Sequence, residues 1–121
     1  MRLSALLIGS ALAGCSPQVP PPPAAFKLDC SLGYETLTDK IAALPGIQLA
    51  KTPNEPYHYF NSPEGDASYV VTLKGGAGHP AVIAQYATPK GMQQSGCPYG
   101  DQIGYGKLTA YLQILAEKRR P

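Results

Sequence analysis

The sequence predicts a small α+β domain: a four-stranded antiparallel sheet with two helices packed on one of its faces, in the order α-β-β-β-β-α. Two observations carry that prediction. Apolar residues recur at helical spacing near each end of the domain, and four strand-like runs separated by turn chemistry lie between them.

The first helix is read from Tyr34, Leu37, Ile41 and Leu44, with Pro45-Gly46 ending the pattern. The last is read from Tyr105, Leu108, Leu112 and Leu115, over residues 101–119. Strands are expected over residues 47–51, 57–60, 68–74 and 81–87, separated by the turn-forming stretches TPNEP, NSPEGD and GGAGHP. Connections this short favour an antiparallel meander over parallel crossovers.

Ahead of this domain the chain changes character. Arg2 is followed by about a dozen apolar or small residues ending at Ala13, too short for a bilayer core, which needs on the order of 20. The basic start, apolar centre and small residues match an export signal. Within it, Leu12, Ala13, Gly14 and Cys15 resemble the lipobox of bacterial lipoproteins. That resemblance covers only about the first 16 residues. It implies that residues 1–14 are removed and that Cys15 becomes a lipidated amino terminus in the cell envelope. Several acyl chains anchor firmly where one holds only marginally. The family's sorting pattern, in which aspartate after the cysteine retains a protein at the inner membrane, implies from Ser16 an outer-membrane location facing the periplasm. Residues 15–25, with Pro17 and the run at 20–23, then form an extended tether at about 3.1 Å per residue. A proline-rich ligand for an aromatic groove is the alternative reading of the same residues.

With Cys15 committed to lipid by this resemblance, Cys30 and Cys97 remain as an even pair in an oxidising context, and a disulfide between them is expected. Residues 26–121 are read as one domain, small enough to benefit from such a staple. The pair also flanks the domain: Cys30 precedes the first helix and Cys97 the last, so the bond is expected to pin the two helix starts together.

Charge excludes one class of partner. The chain carries 10 Lys plus Arg against 8 Asp plus Glu, without the basic excess of a nucleic-acid binder. Lys118, Arg119 and Arg120 suit the carboxyl end of a helix, with anionic headgroups as their alternative partner.

Candidate chemistry is sparse. KGGAGHP, residues 74–80, is glycine-rich but lacks the GxxxxGK spacing of a phosphate loop, and reads as a mobile hairpin loop. His58 and His79 stand at no metal-site spacing to a carboxylate, and Glu64 and Asp66, beside Pro63 and Gly65, read as solvating a turn, with a catalytic carboxylate pair as the alternative. No metal or cofactor is expected. Tyrosines are more suggestive: Tyr57 and Tyr59 share one face of their strand, and Tyr69 and Tyr86 follow on later strands. If helices cover one sheet face only, these four rings are candidates to line the open one as a binding surface. The expected function is therefore a non-catalytic lipoprotein that binds an envelope protein or glycan, or serves a structural role. The alternatives are a hydrolase or thiol enzyme using His58, His79 or Cys97, and an inhibitor of an exported enzyme presenting NSPEGD or KGGAGHP.

Overall fold

A computed structural model of the protein describes residues 26–118. The expected signal segment 1–14, Cys15 with the expected tether to residue 25, and residues 119–121 lie outside the described residues. Helix α1 (Tyr34–Ala42) is followed by strands β1 (Gln48–Lys51), β2 (Tyr57–Asn61), β3 (Ala67–Thr72), β4 (Ala81–Thr88) and β5 (Gly91–Pro98), then by helix α2 (Gln102–Lys118). The strands form one sheet in sequence order, every neighbouring pair antiparallel.

Both helices arise where the apolar spacing places them. α1 begins after Gly33, which takes an extended conformation and makes no side-chain cap; its carbonyl accepts the Leu37 N–H at 2.9 Å. The helix ends at Ala42, and the chain then turns through Pro45-Gly46, where Gly46 has a φ of 72° and an added Cβ would lie 2.9 Å from the Pro63 side chain. α2 begins with a side-chain cap, the Asp101 carboxylate accepting the Gly104 N–H at 2.6 Å. That bond satisfies one of the orphan donors of a helix start.

The sheet has five strands, not four. β5 escapes the sequence pattern because GMQQSGCP offers the core almost nothing: of its eight residues only Cys97 is buried. Its strand character comes from its partner, since it pairs with β4 over the whole ladder from Ala81↔Pro98 to Thr88↔Gly91. An edge strand of this kind is held by backbone hydrogen bonds rather than by its own apolar face.

The helices cover opposite faces, not the same one. Leu37 and Ile41 of α1 pack with Phe60, Tyr69, Val71, Val82, Ala84 and Cys97. Leu108 and Leu112 of α2 pack with Val70 and Ile83. The register accounts for this separation: Tyr69 pairs with Ala84 and Val70 with Ile83, and successive residues of a strand point to opposite faces. The central strands β3 and β4 are apolar on both sides, so each needs cover on both.

The disulfide is present: Cys30 and Cys97 are bonded, with Cα atoms 5.3 Å apart and a sequence separation of 67. It ties the segment before α1 to the end of β5. Closing a loop of that length contributes about 4 kcal/mol in the chain-entropy account.

The glycine-rich loop is packed rather than projecting. Gly78 has a φ of 74°, and a Cβ there would lie 2.6 Å from the Tyr105 backbone nitrogen. Gly104 returns the constraint, its own added Cβ falling 2.5 Å from the Gly78 nitrogen. Close backbone approach between this loop and the first turn of α2 is what these glycines permit.

Candidate functional site

α1 spans only nine residues and covers one end of its sheet face. The remainder of that face is crossed by the first described residues of the chain. Phe26 packs edge-on against Tyr69, ring centroids 6.0 Å apart, and Tyr69 in turn meets Tyr86 edge-on at 6.2 Å. The Phe26 carbonyl accepts two phenol hydroxyls, from Tyr86 at 2.8 Å and from Tyr69 at 3.3 Å. Leu28 packs on the same core, Asp29 accepts the Ser31 hydroxyl at 2.6 Å, and Cys30 is bonded to Cys97. Residues 26–30 therefore form a strap gripped by hydrogen bonds, by ring packing and by a covalent link.

The phenols that grip it are donors throughout the physiological range. Burial pushes the Tyr69 hydroxyl up to about 12, helped by the neighbouring Tyr86 and Asp66. Burial raises Tyr86 as well. A protonated phenol donates to a carbonyl, which is the role both play here.

Two grooves flank the strap. The first, about 570 Å³, is lined by Lys27, Leu28, Asp66, Tyr86, Gln93 and Ser95. The second, about 630 Å³, is bounded by Phe26, Leu44, Pro45, Ile47, Pro63 and Tyr69, with Glu64 and Asp66 also in its lining. Asp66 belongs to both. Its carboxylate accepts the Ser62 hydroxyl at 2.7 Å within the β2–β3 turn, and its carbonyl accepts the Ala87 N–H at 2.9 Å. Asp66, in the β2–β3 turn, is thus shared by the two grooves, and Glu64 beside it borders the second.

The four tyrosines expected on one surface are divided. Tyr69 and Tyr86 lie on the α1 face with the strap, whereas Tyr57 and Tyr59 lie under α2 among Val70, Ile83 and Leu108. Tyr59 donates to Glu55 at 3.1 Å, and the Tyr111 hydroxyl of α2 donates to the other oxygen of the same carboxylate. Burial and that carboxylate push the Tyr59 phenol far above its ordinary range. A cleft of about 350 Å³ beside this cluster is lined by Ala50, Glu55, Tyr59, Asn61, Leu115 and Lys118.

The histidines are separated by the sheet's layout. His58 sits on β2 opposite Val71 and Lys51. His79 lies in the loop before β4, its Nδ1 2.8 Å from the Thr72 hydroxyl and its ring edge-on to Tyr34. Thr72 is fully buried; its hydroxyl also accepts the Ala81 N–H at 2.9 Å, and its carbonyl accepts the Tyr34 hydroxyl. The pair joins the loop to the start of β4. Cys97 is in the disulfide and holds no free thiol. Among the described residues, no three His, Cys, Asp or Glu side chains are grouped as metal ligands, and no helix is long and apolar enough to cross a membrane.

Two contributors were not legible as site residues: the Phe26 carbonyl and Glu55. Phe26 had a local signal, an aromatic residue closing a proline-rich stretch. Glu55 had none, because Tyr111, which completes its cluster, is distant in sequence. No family model, curated protein or solved structure matches the chain.

Proposed function

We propose that the protein is a lipid-anchored bacterial envelope lipoprotein whose domain acts by binding an envelope component, or as a structural module, rather than by catalysis. Its address is carried by Leu12-Ala13-Gly14-Cys15 behind a short apolar leader, with Ser16 favouring the outer membrane. The observation that supports the reading most directly is the strap. A chain anchored by lipid at residue 15 transmits force to its domain through residue 26, and the protein grips that point with two phenols, a ring contact and, four residues on, a disulfide.

Binding is the favoured mode because the features that offer themselves are surfaces. The grooves beside the strap combine apolar walls with a few polar groups, as ligand sites do. His79 is engaged by a buried threonine and Tyr34, not by a nucleophile with an orienting carboxylate. An inhibitor reading would rest on the β2–β3 turn alone, since the glycine-rich loop is packed against α2.

Replacing Cys15 with alanine tests the anchor. Fatty-acid labelling should disappear and the protein should leave the membrane fraction; unchanged labelling would sink the proposal. Replacing His58 and His79 together should leave the envelope phenotype intact in a folded, lipidated protein, and its loss would transfer the case to catalysis.

A further inference from the structure

The sheet ends on two unlike edges. β1, at one edge, spans four residues and closes on Lys51, the short and charged form in which proteins protect a sheet margin. β5, at the other, spans eight residues, GMQQSGCP, and none of them is charged.

The ladder fixes which β5 groups face outward. Beyond the pair Ala81↔Pro98, the Tyr99 N–H donates to the Pro80 carbonyl at 3.1 Å, so these two residues point towards each other. Antiparallel pairs alternate between bonded and non-bonded, which makes Val82↔Cys97, Ala84↔Ser95 and Tyr86↔Gln93 the bonded pairs. The Ala87 N–H agrees, being turned the other way, to the Asp66 carbonyl at 2.9 Å. Met92, Gln94 and Gly96 therefore aim their N–H and carbonyl groups away from β4. Among the described residues none of the three has a backbone partner on that side. Pro98, the next outward residue, has no N–H and ends the run. The strand is also held in place, since the Gln94 side chain accepts from Gln85 at 2.9 Å and donates to the Thr109 carbonyl of α2 at 3.4 Å.

A row of unpaired amides and carbonyls is a template for another strand. We propose that this strand is the β5 of a second copy of the chain, running antiparallel about a two-fold axis at Gln93 and joining two five-stranded sheets into one. Three arguments choose this occupant and this register. The first is self-complementarity: the axis sets Met92 opposite Gln94 of the second copy, so that outward residues meet outward residues and each such pair exchanges both backbone bonds. The second is charge: Lys90, the cation that precedes β5, falls opposite Gly96 of the second copy, and no like charges are opposed. The third is space. The Cys30 sulfur lies 3.6 Å from the Gly96 carbonyl oxygen, and this register rests on Met92 and Gln94 while leaving Gly96 at its margin. At the axis, Gln93 meets its own counterpart in a close non-bonded pair, where a side-chain amide, being both donor and acceptor, can bond to itself. The pairing depends on the backbone edge alone, not on the lipid anchor or the grooves beside the strap.

The test measures self-association of the full chain carrying Cys15→Ser, in mild detergent, by sedimentation equilibrium. The mass should rise with protein concentration towards twice that of the monomer. A mass that stays monomeric throughout rejects the second copy and leaves the edge to an extended segment of another protein. Amide exchange locates the contact: Gln93 and Ser95 should be protected at every concentration, whereas protection of Met92 and Gln94 should rise with association. A dimer in which those two amides exchange as freely as in the monomer would be joined elsewhere, which overturns the proposal. Gln93→Glu and Gln93→Lys, each checked for native folding by unchanged amide shifts of Leu108 and Leu112, oppose like charges at the axis and should each sediment as a monomer. Mixed in equal amounts, they should dimerise again because unlike charges meet. Undiminished dimerisation of either variant alone, or no rescue on mixing, would reject the axis at Gln93.

Discussion

The two faces of the sheet are covered by different means. On one, the 17-residue α2 lies over Val70 and Ile83 and inserts Leu108 and Leu112, so a single helix suffices. On the other, nine-residue α1 reaches only part of the surface, and the rest is completed by an extended strap, a disulfide and phenol-to-carbonyl hydrogen bonds. A face covered by a long helix depends on apolar packing. A face covered by pieces depends on ties between them, because each piece buries too little surface to hold its own place.

That contrast makes the disulfide the largest expected single contribution on the α1 face. Cys30→Ser with Cys97→Ser should lower stability by about 4 kcal/mol, measured as a drop in the urea midpoint. A loss confined to a few tenths would mean that the strap holds without its covalent link. Next in size is Leu112→Ala on the opposite face. Leu112 is 1% exposed, and its truncation should cost about 3 kcal/mol by lost transfer energy and an unfilled cavity. If this variant also frees the strap, seen as faster amide exchange at Leu28, the two faces are less independent than their separate cores suggest.

The smallest effect is expected at Tyr86→Phe. The ring remains while the hydroxyl bound to the Phe26 carbonyl at 2.8 Å is lost, a change of about 1 kcal/mol in urea unfolding. Its sharper readout is local: exchange should increase at Lys27 and Leu28 and stay unchanged in α2. Unaltered strap protection would assign the grip to Tyr69 and the Phe26 ring instead.

Much of the fold was legible where a residue pattern has one physical meaning. Leu37 with Ile41, and Leu108 with Leu112, repeat at helical spacing, and each pair is buried on its helix. Four strands followed from β-branched and aromatic runs between turn residues. β5 was illegible because Gln93, Gln94 and Ser95 carry no apolar alternation, and its place is dictated by the ladder to β4. The arrangement of the helices was in fact signalled, by the unbroken apolar run Ala81-Val82-Ile83-Ala84, which requires cover on both faces. The same signal bears on the tyrosines: with both faces covered, adjacent strands send Tyr59 and Tyr69 to opposite sides, and the four rings meet as two groups.

By itself the sequence determined the helices and most of the strands, and it pointed to the pairing of Cys30 with Cys97. These are local or chemical properties: periodicity, turn residues, and the small number of thiols available. Only the tertiary structure decided that the helices take opposite faces, that β5 completes the sheet, that Glu55 meets both Tyr59 and Tyr111, and that Phe26 is clasped by Tyr69 and Tyr86. Each of these joins groups far apart along the chain. Such contacts form because uncovered apolar faces and unsatisfied polar groups are costly in water's absence, and which partner relieves that cost is settled by the three-dimensional path of the chain.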